Sequence, residues 1–345
     1  MADGAGLPPP KSAGAPGERS GFPEDFPEGL KPRLRLFFSA DLVDATRYKQ
    51  SRSVWRPEIL NFYRDFHFIL QAEHQAFAEA HAPGLTAPAF WKSNGDELLY
   101  VAELSSPNEA HALMYVWLAA LERYRATTSM EDAQHLDVKS TAWIGLFPSP
   151  NAEIFFRRGA NFGPEDQQAR DPLIVQSEIR DEWYAYPFGA TITREFVGPS
   201  IDTGFRLTAW ATPSRMILSV DLAFLLMDTP TGGIGQLRLY LSGCARLKGV
   251  ACDQPYPRLW VPVGGRAAPE ESRAEPAITD QRTIRAFCES LIEQNYSSIT
   301  PLFLATGGSD AFDWVPPYIL KRVLTQWRDE VRHREEVTGV VLLGD

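Results

Sequence analysis

Two aspartates carry the first chemical signal. Asp41 follows the apolar run LRLFFSA at 34–40, and Asp96 closes the turn SNGD at 93–96. The apolar run reads as a buried strand, and Asn94-Gly95 between apolar stretches reads as a tight hairpin, because both residues tolerate the positive φ such turns demand. In a strand–helix–hairpin unit the two carboxylates reach one sheet edge. There they can bind a pair of divalent ions through hard oxygen ligands. Such a pair suits triphosphate chemistry, since one ion lowers a hydroxyl's pKa while the other steadies the leaving phosphates. A lone aspartate in a turn often does no more than cap it, so the weight falls on the motifs around these two.

The elements that must position them follow from periodicity. Residues 55–80 place Ile59, Phe62, Phe66, Ile69, Leu70 and Phe77 at helical spacing, and Pro83-Gly84 stops the helix. Strands are expected at 89–92 and 97–103, a helix at 108–125, and strands at 138–146 and 152–156. Residues 159–187 read as an irregular polar insertion. Beyond it come a strand to about Val197, a helix opened by Gly198-Pro199 and running through Trp210, and a strand at 215–220 with a helix behind it. Strands at 237–241, 245–249 and 259–263 close the sheet. The expected organisation is a disordered leader at 1–32, rich in Pro, Gly and Ala, then a folded domain at 33–263, a linker at 264–282 and a helical extension at 283–345.

The segment FSADLVDAT at 38–46 resembles the metal-binding strand and turn of the class III nucleotide cyclases. Lys92-Ser-Asn-Gly-Asp96 resembles their hairpin, in which a lysine precedes a Gly-Asp pair. Glu195-Phe-Val-Gly198-Pro-Ser-Ile-Asp202-Thr-Gly-Phe-Arg206 is similar to their third motif, an acidic residue three positions before a glycine, an Asn four after it and an Arg four after the Asn. The resemblance runs from Leu34 to Val263. It implies an α/β class III cyclase fold, a mixed, mostly antiparallel sheet flanked by helices, with appended C-terminal helices.

Carried over, the resemblance makes Asp41, Asp96 and the backbone carbonyl of Leu42 the ligands of two divalent ions, Mn²⁺ or Mg²⁺. The turn up to Thr46 would cradle phosphates, and Arg206 would stabilise charge on the α-phosphate as the ribose 3′-hydroxyl attacks. Lys92 and Glu195 would read the base and Asp202 would lie at the ribose. The family pairs two protomers head to tail, so a homodimer with composite active sites is implied, with Lys92 and Asp96 serving different sites. A lysine donor with a carboxylate acceptor fits adenine, cytosine or uracil. Adenylate cyclases of the family have Asp at the Glu195 position, and the longer side chain leans towards a pyrimidine.

Other positions depart from the family pattern. Asp202 stands for Asn, Asp44 for a glycine and Ala45 for a phenylalanine, and Val250 takes the place of a phosphate-binding lysine after Lys248-Gly249. Together these features are similar to the pyrimidine cyclases of bacterial anti-phage systems called Pycsar, which make cyclic UMP or cyclic CMP to trigger a toxic effector. The expected activity is conversion of UTP to 3′,5′-cyclic UMP and diphosphate, with a downstream effector that responds to the cyclic nucleotide. The alternatives are a cyclase making cyclic CMP or cyclic AMP, and a catalytically degenerate module that binds a nucleotide without turnover.

Composition sets the outer bounds. The 345-residue chain carries 34 Lys+Arg against 44 Asp+Glu, a net charge of -10, so it has no general attraction for a phosphate backbone and no nucleic-acid partner is expected. The longest apolar stretch, 216–227, falls far short of the roughly 20 residues that span a bilayer, so no membrane span is expected. Cys244, Cys252 and Cys288 lack metal-ligand spacing, and the N-terminus has prolines where a secretory signal needs an apolar run, which suggests a reducing, cytoplasmic setting. His67, His74 and His81 recur every seven residues on one helix, about 10.5 Å apart along its axis, too far to share an ion. Arg47-Tyr48-Lys49 and Arg157-Arg158 read as surface charge or as phosphate and base contacts.

Overall fold

The structure, a computed structural model, describes residues 26–128, 136–157, 171–186, 191–228, 235–264, 276–295 and 317–339, with Pro23 and Ile299 besides. Its centre is β1 (Arg33–Leu42), buried along almost its whole length. Two helices follow, α1 (Ala45–Ser51) and α2 (Arg56–His81), then the hairpin of β2 (Ala89–Asn94) and β3 (Glu97–Glu103), and α3 (Pro107–Thr128). Next come β4 (Val138–Phe147), β5 (Ala152–Arg157), α4 (Pro172–Ala185), β6 (Ile192–Val197) and α5 (Pro199–Leu207), which runs into a 3-10 turn at Thr208–Trp210. The chain continues through β7 (Arg215–Leu218), α6 (Val220–Asp228), β8 (Tyr240–Arg246), β9 (Pro255–Pro262), α7 (Gln281–Gln294) and α8 (Pro317–Thr338).

Seven strands form one sheet in the order β2-β3-β1-β4-β7-β9-β8, while β5 and β6 pair separately. Among the described residues only the β4–β7 pairing is parallel; the rest are antiparallel. The fold class expected from the sequence, a mixed and mostly antiparallel sheet flanked by helices, is the one observed.

Strand alternation divides β1 between two cores. Leu34, Leu36, Phe38 and Ala40 meet the helical layer, where Phe62, Phe66 and Leu70 of α2 and Leu113, Trp117 and Leu121 of α3 are buried. Trp117 stacks on Phe38 with ring centroids 4.6 Å apart. On the opposite face Phe37 packs with Leu99, Trp143, Phe147, Phe196 and Ile201. This second face carries Asp41.

Several sequence expectations change. Residues 159–187 were expected to be irregular, but 172–185 form α4, capped by Asp171, whose carboxylate accepts the Leu173 N–H. Val175, Ile179 and Trp183 recur four residues apart on the face that packs with Phe155 and Ile192, a helical period diluted by the polar residues on either side. The strands expected at 237–241 and 245–249 are one strand, β8, whose register shifts between Leu241 and Cys244 where Gly243 has φ +69°. Within the expected leader, Phe26 and Leu30 are buried against Val323 and Trp327 of α8. Within the expected extension, Ile284, Cys288 and Leu291 of α7 belong to the main core, so α7 is part of the body of the fold. Glu330 of α8 holds Arg180 of α4 at 3.0 Å. No helix among the described residues is long and apolar enough to cross a membrane.

Candidate active site

Pairing of β3, β1 and β4 sets three charged side chains in a row. Asp41 lies opposite Glu97 on one side and Lys139 on the other, and directly opposed residues project from the same face. Lys139 Nζ reaches Asp41 Oδ2 at 3.2 Å. The hairpin turn brings in Asp96, whose backbone carbonyl accepts the Leu42 N–H at 3.2 Å, and Lys49 of α1 meets Asp96 Oδ1 at 3.1 Å. Burial pushes the Asp41 carboxyl above the usual range; Lys139 opposes this, while the neighbouring negative charge of Asp96 adds to it. The two aspartates therefore share one electrostatic site.

Glu97 is the group that sequence reading missed here. It is only 7% exposed, and Ser39 donates to its Oε1 at 2.5 Å. Burial holds its carboxyl above the usual range, with the Asp41 charge adding to the effect. Beside it Thr141 is fully buried, and its hydroxyl has no hydrogen-bond partner among the described residues. The signal was the alternation Ser39-x-Asp41 and Lys139-x-Thr141, which becomes informative only once the β3-β1-β4 register is known.

The first turn has two of its N–H groups engaged within the chain. Asp44, where the resemblance expects glycine, adopts φ +56°, a left-handed conformation that Asp tolerates better than most residues. The Leu42 and Val43 N–H groups already donate to Asp96 and Asp137 carbonyls. Thr46 lies exposed on α1 beyond this turn.

A second cluster forms on the same sheet face. Lys92 Nζ and Glu195 Oε1 are 2.7 Å apart, so the two residues assigned to the base do meet within one chain. The ammonium sits 4.3 Å from the Trp91 ring centroid and 5.5 Å from that of Phe205. The Trp91 indole N–H is buried with no partner among the described residues. Trp91 and Phe205, which sequence reading did not assign, form the apolar side of this cluster, their ring centroids 6.1 Å apart.

Helix α5 is held against the sheet at its start and along one side. Asn151 Oδ1 accepts the Ser200 N–H at 3.0 Å, and its amide donates to the Leu146 carbonyl at 2.9 Å. Gly204 lies so close to Trp143 that a Cβ there would be 2.1 Å from its ring. With that side buried, Asp202 and Arg206, one turn apart, project outward and are exposed. The structure therefore brings Asp41 and Asp96 together, and Lys92 and Glu195 together. It leaves Thr46, Asp202 and Arg206 on the surface with no side-chain hydrogen bond or ion pair to either cluster among the described residues.

The donor set fits divalent metal binding by hard ions. Among the described residues no three His, Cys, Asp or Glu side chains converge as a closed metal site. Two carboxylates in one electrostatic site, each already paired with a lysine, match a hard ion that completes its shell with water. His67 and His74 instead engage separate partners, Tyr100 and the Leu85 carbonyl.

No protein-family model matches the chain, and no curated protein matches it in sequence. Among solved structures, it is similar to the adenylyl cyclase CyaB from P. aeruginosa, at 11% identity, covering 68% of this chain and 96% of that one with a TM-score of 0.45. It is also similar to the guanylate cyclase domain of RhGC from Catenaria anguillulae, solved with GTP, at 13% identity, covering 67% and 97% with a TM-score of 0.41.

Proposed function

We propose that the chain is a metal-dependent nucleotide cyclase that converts UTP to 3′,5′-cyclic UMP and diphosphate, as a signal in anti-phage defence read by a separate effector. The observation that carries this reading is the pairing on one sheet face of a two-aspartate cluster, Asp41 with Asp96, and a donor–acceptor pair, Lys92 with Glu195. Asp41 and Asp96, with the Leu42 carbonyl, would hold two divalent ions, Mn²⁺ or Mg²⁺. When bound, such ions lower the pKa of the 3′-hydroxyl and neutralise the phosphates.

The chain's own residues supply position and charge. Lys92 donates to a uracil carbonyl while Glu195 accepts from N3–H, with Trp91 and Phe205 beside the pair. The 3′-oxygen forms its bond to the α-phosphorus as the bond to the β-phosphate oxygen breaks. Diphosphate departs, and the hydroxyl proton passes to water. Arg206 stabilises the charge that builds on the α-phosphate oxygens, and Asp202 accepts from a ribose hydroxyl. Because both project outward from α5, they act on a nucleotide held by the aspartates of a second protomer, so the working unit is a homodimer with composite sites and a cytoplasmic setting fits its role.

Purified protein incubated with Mn²⁺ and each ribonucleoside triphosphate in turn should yield cyclic UMP from UTP. Absence of any cyclic product from an intact dimer would sink the enzyme reading. A second reading, a nucleotide-binding module without turnover, draws on Asp202 in place of Asn and on the lysines already paired with both aspartates. It is excluded if Asp41→Ala abolishes a measurable activity.

A further inference from the structure

Each of the two aspartates has its own lysine. Lys49 comes from α1 and meets Asp96 at 3.1 Å; Lys139 comes from β4 and meets Asp41 at 3.2 Å, with the Thr208 carbonyl 3.5 Å from the same ammonium. Each aspartate is thus matched by one ammonium, and Glu97 adds a third carboxyl beside Asp41. The lysine side chains are 29% and 25% exposed, so their stems can swing without opening the core.

A divalent ion bound to either aspartate sits about 2–2.6 Å from the carboxylate oxygen. An ammonium still within hydrogen-bond distance of that carboxylate would then face a dication at close range, and the repulsion is strong in a half-buried site. The lysine must leave. The nearest large negative charge that arrives with the metal is the substrate's polyphosphate, and Lys49 stands on the helix that follows the first turn. Lys139 stands on the strand beside it.

We infer that Lys49 and Lys139 hold the places of the divalent cations on Asp96 and Asp41 before substrate binds, and move onto the polyphosphate when metal and nucleotide enter. They act first as counter-ions and then as phosphate ligands. The polyphosphate half rests on the cyclase reading; the probes below do not depend on the base or on turnover.

The full-length protein is titrated with Mn²⁺ alone, followed by the spin resonance of free Mn²⁺, and then with inorganic triphosphate at saturating Mn²⁺, followed by calorimetry. Wild type is compared with Lys49→Met, Lys139→Met and the corresponding Arg variants. Each Met variant should bind Mn²⁺ about tenfold more tightly and inorganic triphosphate about tenfold more weakly, while the Arg variants stay near wild type for triphosphate. Mn²⁺ affinity that is unchanged or lower in the Met variants would show lysines that only brace the aspartates, and would overturn the inference. So would unchanged triphosphate affinity. If a Met variant fails to fold, as judged by circular dichroism, the Gln variant takes its place. Opposed shifts in a protein that makes no cyclic nucleotide would overturn the proposed function and leave this inference standing.

Discussion

Lys92 and Glu195, 103 residues apart in the chain, meet at 2.7 Å with the ammonium lying over the face of Trp91. The two groups satisfy each other in this structure, and under the proposed function a base opens the pair by offering an acceptor to one and a donor to the other. On the proposed reading, a ligand edge that carries both an acceptor and a donor matches this pair.

Glu195→Gln and Lys92→Met should each lower kcat/KM for UTP by about ten- to a hundredfold, the range expected for a hydrogen bond to a charged group. Steady-state kinetics on the purified variants checks this. Equal activity in Glu195→Gln would remove the pair from base recognition.

Composite sites make a sharper demand. Asp41→Ala and Arg206→Ala should each be nearly inactive alone, the Arg206 loss being around a hundredfold or about 3 kcal/mol. Mixed after partial unfolding and reassembly, the two inactive variants should recover about a quarter of wild-type activity, because half the dimers then carry one intact site. No recovery from a mixture shown to contain heterodimers would place all catalytic groups within one protomer.

The close approach of α5 to the sheet predicts a coupled loss. A Cβ at Gly204 would lie 2.1 Å from Trp143, which is itself stacked on Phe37 at 5.5 Å. Gly204→Ala should therefore push α5 outward, cost about 1–3 kcal/mol of stability and displace Arg206 from its working position. Thermal unfolding and turnover should fall together. A variant as stable and active as wild type would contradict this packing.

Glu97 gives the pH dependence. Burial raises its carboxyl above the ordinary range in the folded state, so the native fold favours the protonated form. That contribution is complete below the ordinary glutamate pKa and is lost as pH rises through the raised folded value. Glu97→Gln keeps the shape without the charge, so its Tm should exceed that of wild type near about pH 7 and converge with it towards about pH 4. A variant less stable than wild type at neutral pH would contradict the sign.

What the sequence disclosed follows from which signals are local. Asp41 at the end of an apolar run and Asp96 after Asn94-Gly95 are legible from a few neighbours, and so is the glycine-proline opening of α5. Lys139 beside Asp41, Glu97 on Ser39 and Phe205 near Lys92 depend on strand register and on how α5 docks. No short window of sequence carries that information. The burial of α7 in the main core was hidden for the same reason, because its amphipathic pattern says that one face is covered but not by what.

The most direct test of the central claim offers the purified protein all four ribonucleoside triphosphates at equal concentration with Mn²⁺ and quantifies every cyclic product. Cyclic UMP should dominate, and Asp96→Ala should abolish it while retaining the wild-type fold. Formation of no cyclic nucleotide, or the same yield from Asp96→Ala, would contradict the account.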